Sequence, residues 1–322
     1  MKERRKRNMS RTGLLFMFCL LMLCGCAQIT GFMENTEVSG REVESLAAEK
    51  EDDTVLLGGM PVGIYMETDG VLVLDTEKMT GMDGKEYTPA QGVVSSGDYI
   101  TEVNHQKIEG KKQLMDLVEH LDGEKVLLTV RRENTILEKK LTPVQISKGN
   151  YRLGIWVRDN VQGLGTITFL TKNNRFAALG HGIHDIDTST LLTIKRGTLY
   201  RTSIQKVQKG SKGNPGTMEG IIVYNRFHRL GVIEKNTDAG IYGELNSDRS
   251  WIGEEVPIQV AKKEEIKTGE ARIRCYIDGE VKEYTICITQ IDKESDQVNK
   301  GMVIQVTDTE LLEKTGGIIQ GM

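Results

Sequence analysis

Aromatic residues make up only 5% of this 322-residue chain, and proline occurs 5 times. Cysteine also occurs 5 times, and Cys19, Cys24 and Cys26 all fall in the leader. The body keeps only Cys275 and Cys287, which excludes a disulfide-framed scaffold. The main apolar run, Gly13 to Leu23, falls short of the roughly 20 residues that a membrane-spanning helix needs. Positive charge is pooled only at Lys2, Arg4, Arg5, Lys6, Arg7 and Arg11, and the net charge is -4. Nothing outside the N-terminus offers the basic footprint of a nucleic-acid binder, so no nucleic-acid partner is expected. What is present is glycine, 35 residues of it, spread among Val, Ile and Thr. That mixture reads as a mainly β chain with tight turns. At 38% hydrophobic and 27% charged, the chain has material for globular cores, and its length suggests about two domains.

Residues 1–27 read as a signal peptide or membrane anchor: a basic stretch followed by the apolar run. Three processing routes stay open. Leu23-Cys24-Gly25-Cys26 resembles a lipoprotein box ending on Cys26; Gly25-Cys26-Ala27 could precede an ordinary signal-peptidase cut; the segment could stay uncleaved. Each route exports the body across a membrane, leaving it membrane-associated or secreted. Residues 28–54 are rich in Glu and Asp and read as a polar tether.

Residues 55–146 read as one small α+β module. Gly58 to Met66 is a glycine-rich entry into a strand, Val71 to Leu74 a second strand, and Gly97-Asp98-Tyr99-Ile100 a turn leading into a third that ends near Asn104. Leu114, Leu117, Val118 and Leu121 follow helical spacing, and Gly123 is placed to close that helix. Val126 to Arg131 and Ile136 to Leu141 form a last hairpin. The Pro61-Val62-Gly63-Ile64 loop, the Gly97-Asp98-x-Ile100 turn with Asn104, and the single helix together resemble a PDZ domain. The resemblance implies peptide capture by strand addition beside the helix, with Val62, Gly63, Ile64 and Tyr65 as the peptide-binding residues.

Residues 147–322 contain many short β-like runs with turn signals every 8 to 12 residues, which suggests an all-β barrel or sandwich. Asp278-Gly279 marks a two-residue hairpin that sets Cys275 opposite Lys282. Cys287 then lies five residues further along, about 17 Å away, so the two thiols are expected free. Thr309 to Lys314, closed by Gly316, is the late helix.

Two residues stand out for chemistry. His181 follows the apolar run Phe176 to Gly180 and precedes Gly182. Flanking glycines let other backbone approach the ring, which gives a base room to reach a nucleophile but equally suits a hydrogen-bonded core histidine. Asp308 opens the late helix and reads as its N-cap, with Thr307 and Glu310 as an alternative capping box. A carboxylate fixed by backbone donors is also well placed to orient an imidazole. His181 and His184, near Asp185 and Asp187, lack a strong third ligand, so no metal or other cofactor is expected. The chain then runs into Gly316-Gly317-Ile318-Ile319-Gln320-Gly321-Met322, a glycine-rich approach of the kind that leads to a nucleophilic serine. Histidine, aspartate and a glycine-framed serine, in that order, form one serine-peptidase arrangement.

The segments Phe176 to Ile183, Gly301 to Asp308 and Leu311 to Met322 are similar to the stage IV sporulation protein B family of serine peptidases, and the similarity extends over nearly the whole ordered chain. It implies a trypsin-like-type barrel, His181 as general base, Asp308 as the orienting acid, and a serine immediately after Met322. Gly317, Gly321 and Met322 would shape the nucleophile loop and oxyanion hole. No serine follows Met322 in the sequence as it stands, so the resemblance implies a chain cut just before its nucleophile and inactive by itself. It further implies self-cleavage and cleavage of a membrane-anchored regulator of an intramembrane metalloprotease, between mother cell and forespore, to activate a late sigma factor. The alternatives are a non-catalytic exported PDZ protein that binds peptides, and a metal-dependent hydrolase built on His181 and His184.

Overall fold

A computed structural model describes residues 54–253 and 255–322. The leader, and the tether up to residue 53, lie outside the described residues, as do the expectations about processing and anchoring. Among the described residues no helix is long and apolar enough to cross a membrane.

In chain order the main elements are β1 (Pro61–Thr76), β2 (Tyr99–Val103), α1 (Lys111–Glu119), β3 (Val126–Arg132), β4 (Thr135–Leu141), β5 (Ile155–Leu170), β6 (Arg175–Ala178), β7 (Ile194–Tyr200), β8 (Arg229–Thr237), β9 (Gly240–Leu245), β10 (Gly269–Ile277), β11 (Glu280–Ile291), β12 (Met302–Val306) and α2 (Thr309–Thr315). Strands β1 and β5 are 16 residues each and pair antiparallel from Ile155 against Thr76 to Thr166 against Pro61. Sixteen residues in a strand span about 50 Å, enough to cross two modules. The ladder slips by one residue between Trp156 and Val157 and breaks more widely near its middle, where β5 bulges at Asp159 and β1 turns through Gly70 at φ +87°.

Below the break, Pro61–Thr68 and Asn160–Leu170 are two staves of a closed six-stranded antiparallel barrel, in ring order β1, β5, β6, β9, β8, β7 and back to β1. Alternation turns Val62, Ile64 and Met66 inward to meet Ile167, Phe176, Leu199, Ile233 and Ile241. Closure removes the free strand edges that an open sheet would expose. The wall is tight. A Cβ on Gly243 of β9 would lie 1.9 Å from the Val232 carbonyl oxygen, whereas one on Gly163 of β5 would meet nothing within 4 Å.

Above the break, Val71–Leu72 pair with β2 while Leu72–Thr76 pair with the start of β5, and β3 and β4 extend the sheet. α1 buries Leu114 and rests Leu117 and Val118 on this second core. The Gly97-Asp98 turn is a buried clamp. Asp98 accepts the Ser95 N–H and two bonds from the Arg132 guanidinium, at 2.7 and 2.8 Å. Asn104, at φ +48°, accepts the Leu127 N–H and ties β2 to β3.

The two modules therefore do not meet at residue 146. Thr54–Thr68 belongs to the barrel and its flank, and Asn150–Arg158 belongs with the PDZ-like module, because β1 and β5 each run through both.

Beyond the barrel, β10, β11 and β12 form a three-stranded sheet. Asp278 and Gly279 both have positive φ, and Cys275 stands opposite Lys282 while Cys287 stands opposite Glu270. Both thiols are free, and burial pushes that of Cys275 up to about 11. α2 is capped by Asp308, whose carboxylate accepts the Leu311 N–H, and closed by Gly316 at φ +74°. Backbone donors, Leu311 first and then Thr285 and Glu310, hold the Asp308 carboxyl below the usual range.

Two predictions follow from these contacts. Gly243→Ala should cost about 1–3 kcal/mol in urea unfolding, from overpacking against backbone that cannot move aside. Gly163→Ala should leave the midpoint within about 0.5 kcal/mol of the parent, so equal effects would refute the packing account. Asp308→Ala should lower the unfolding midpoint at pH 7, and by progressively less as pH falls below about 3.9. A depressed carboxylate contributes its stability above the unfolded value, about 3.9, and loses it as pH falls through the folded one. A pH-independent difference between parent and variant would exclude the charged cap.

Candidate active site

β6 carries Phe176 and Ala178 into the barrel core and is followed by two successive residues with positive φ, Leu179 at +75° and Gly180 at +82°. This kink lifts His181 out of the wall, where it is exposed. Its Nδ1 lies 3.0 Å from the Gly182 carbonyl oxygen. Gly182 is needed for close approach. A Cβ there would lie 2.5 Å from the Thr237 carbonyl oxygen, and the Gly182 N–H donates to Asp238 O at 3.1 Å. The following loop is stitched down by Asn236, whose side chain accepts the Ile183 N–H and donates to the carbonyls of Ile183 and Leu192. His184 Nε2 lies 3.7 Å from Asp238 Oδ1.

The glycine-rich segment after α2 is held just as firmly. The Gln320 N–H donates to Gly216 O at 2.8 Å, and the Met218 N–H returns a bond to Gln320 O, which docks the segment on the 217–222 strand. Gly317 and Gly321 adopt φ +137° and +90°. Ile319 is buried, and Met322 packs on the cluster of Cys275, Ile277, Tyr284 and Leu311.

Thr166 of β5 joins these two parts. Its hydroxyl donates to Gly321 O at 2.6 Å, while its carbonyl accepts the Leu179 N–H at 3.0 Å. The turn that bears His181 and the turn that holds Gly321 thus hang from opposite sides of one residue. Asp308 approaches less directly. Its helix shares the Leu311 cluster with Met322, but its oxygens accept the N–H groups of Leu311 at 3.0 Å and Thr285 at 3.4 Å. The described hydrogen bonds of His181 and Asp308 run to backbone, and none joins the two side chains. Asp238, Asn236 and Thr166 were not singled out from the sequence. They sit in ordinary strand and turn contexts, and only the barrel register brings them to the histidine turn.

Among the described residues no three His, Cys, Asp or Glu side chains converge as metal ligands.

The peptide-binding assignment to Val62, Gly63, Ile64 and Tyr65 needs correction. Those residues lie mid-barrel with both strand edges taken: Gly163, Leu164 and Gly165 pair on one side and Thr198, Leu199 and Tyr200 on the other. Ile222 also covers Gly63, and Tyr65 packs edge-on against Tyr224 at 5.6 Å. No edge is left there for strand addition. The groove beside α1 is lined instead by Ile155, Trp156 and Val157 of β5 and by Leu114, Met115 and Val118 of the helix, and encloses about 410 Å³. Leu153-Gly154-Ile155-Trp156 repeats the apolar-Gly-Ile-aromatic pattern of Val62-Gly63-Ile64-Tyr65, and Gly154 has φ +69°.

A protein of Helicobacter pylori strain J99 named as a zinc metalloprotease is 28% identical over 180 residues, covering 49% of this chain and 50% of the relative. The chain thus spans about half the length of the curated relative it matches. The PDZ domain of an SdrC-like protein from Listeria monocytogenes is similar at 24% identity over 28% of this chain and 87% of that domain, with a TM-score of 0.22. The family described as SpoIVB peptidase S55 matches residues 149–322, which is more than half of the chain and takes in His181, Asp308 and the Gly317–Met322 turn. The chain belongs to the SpoIVB peptidase S55 family.

Proposed function

We propose that this chain carries the base and the acid of a serine endopeptidase. The observation that carries the reading is Thr166, which holds the His181 turn and the Gly321 turn on one residue of a rigid barrel strand. In acyl transfer the base takes a proton from the attacking hydroxyl and returns it to the leaving amine. His181 suits that role, since its supporting residues are stitched to backbone while its ring stands exposed. Asp308 would hold the imidazolium, and backbone N–H groups of the Gly317–Met322 turn would receive the oxyanion. The nucleophile in this proposal is a serine directly following Met322. His184 with Asp238 is the competing acid-base pair, on the strength of their 3.7 Å separation.

Substrates in this reading are proteins. They include the chain itself and a membrane-anchored regulator of an intramembrane metalloprotease, met on the far side of the membrane across which the leader exports the body, between mother cell and forespore. A second reading rests on the groove beside α1, where the second edge of Ile155–Arg158 carries no strand among the described residues. An extended peptide could pair there, so the PDZ-like module would select or present substrate.

The test places a serine hydroxyl directly after Met322. The chain is extended past Met322 by Ser-Gly-Ser-Pro and treated with a fluorophosphonate probe. Labelling of the added serine is expected. It should fall by about 10⁶-fold, to background, with His181→Ala and by about 10⁴-fold with Asp308→Asn. Labelling that survives His181→Ala would overturn the reading. Loss with Asp238→Asn but not with Asp308→Asn would transfer the acid to Asp238.

A further inference from the structure

We propose that Arg158 and Asp159, adjacent at the bulge of β5, couple the groove to the catalytic turn, with Arg158 as the positioning residue for the loop behind His181. The inference rests on the reading of His181 as the base, and it adds a means of regulation. Trp156 and Val157 line the groove. Asp159 accepts the Lys111 N–H at 2.8 Å, and thereby supplies from β5 the N-terminal cap that α1 lacks in its own side chains. Arg158 reaches the other way. One guanidinium nitrogen pairs with Asp185 and the other with Asp187 at 2.8 Å.

Asp185 governs the shape of the catalytic loop. Its side chain is fully buried. Oδ1 accepts the N–H groups of Asp187 and Thr188, its own N–H donates to Thr190 O, and its carbonyl accepts the Ser189 N–H. One residue earlier stands His184, and three residues before that His181. A buried carboxylate in a closed loop with a single cationic partner is costly to leave unpaired, so the loop has to follow the guanidinium. The bulge is also the larger of the two interruptions in the β1–β5 ladder, with Arg158 opposite Leu72 and Asn160 opposite Glu67, so Arg158 and Asp159 sit where that ladder can shift without breaking the barrel. A ligand that moves α1 or the Trp156–Val157 strand therefore moves the anchor of the histidine turn. By reciprocity, ordering that turn alters the groove.

The experiment uses the full chain with its histidines labelled with ¹³C, and follows the five imidazole resonances by NMR together with amide exchange. Neither readout needs peptidase activity, so a failure here is distinct from a failure of the peptidase assignment. Arg158→Gln is expected to move the His181 and His184 resonances, to leave His105 and His228 in place, and to speed exchange across residues 183–192 by about tenfold or more. Arg158→Lys keeps the charge but cannot bridge both aspartates, and should give an intermediate displacement in the same direction. Asp159→Ala should move the same two resonances, and its effect should not add to that of Arg158→Gln. Arg272→Gln, which removes an exposed ion pair on the distal sheet, is the control and should move none of the five. Wild-type resonances for His181 and His184 in both Arg158→Lys and Asp159→Ala would overturn the proposal. Strictly additive effects in the double variant would overturn the coupling.

Discussion

The rest of the structure depends on the pairing of β1 with β5. Their lower halves close the barrel and their upper halves floor the PDZ-like module, so neither module is complete without a piece of chain that lies, in sequence, within the other. Cooperativity should follow from this. A module missing one central strand has an exposed apolar face and two unpaired edges, a state with little reason to persist. The same pairing decides which chemistry is possible where. The first glycine-rich tetrapeptide, Val62 to Tyr65, is locked into a closed ring by neighbours on both sides, while the second, Leu153 to Trp156, leads into a strand whose second edge, beside a helix, carries no strand among the described residues.

Two buried aspartates repeat one device on this frame. Asp98 and Asp185 each cap a tight turn with backbone N–H groups and turn their remaining oxygen capacity to an arginine from another strand. Neither arrangement is evidence of a large net contribution to stability, because desolvation offsets much of the Coulomb attraction of a buried pair. What it does provide is specificity. Removing either partner strands the other, so each turn has one well-determined conformation. The Gly97-Asp98 turn is thereby fixed to β3, and the loop behind His181 to the bulge of β5.

Much of the fold could be read from local signals. The Asp278-Gly279 hairpin, its Cys275–Lys282 register, the α1 periodicity, and the Asp308 cap with its Gly316 stop all depend on contacts within about a dozen residues, where turn chemistry and side-chain period suffice. The long-range pairings could not be read that way. Val62-Gly63-Ile64-Tyr65 and Leu153-Gly154-Ile155-Trp156 look alike as tetrapeptides, and the sequence offers no local reason to choose the second as the groove strand. The choice is made by β7, some 130 residues downstream of the first copy, which occupies its remaining edge. The module boundary was missed for the same reason. Each of the two long strands reads from sequence as two short ones, because the turn chemistry at Asp69-Gly70 and the polar stretch after Arg158 look like strand ends, and only the register shows that β1 and β5 run on through the break. At the site, His181 was visible through its glycines. Thr166 and Asn236 were not, because their function is to hold backbone that is close only in three dimensions.

The site itself divides labour between a rigid frame and an exposed group. The His181 turn is held through its backbone: the Gly182 N–H on Asp238 O, the half-buried Asn236 amide on Ile183 and Leu192, and the Thr166 carbonyl on Leu179. The imidazole of His181 is left accessible. A general base needs this combination, since its ring must reach a proton in the substrate complex while its backbone stays within a fraction of an ångström of the productive position. A hydrogen-bonded core histidine would show the reverse, a buried ring satisfied by side chains on a strand with ordinary dihedrals. The successive left-handed residues Leu179 and Gly180 point the same way. Leucine is seldom found at positive φ, and the cost is of order 1–3 kcal/mol. The barrel offsets it here by bonding the Leu179 N–H and packing its side chain on Gly165. A framework thus keeps this strained pair in place directly before the exposed His181 ring.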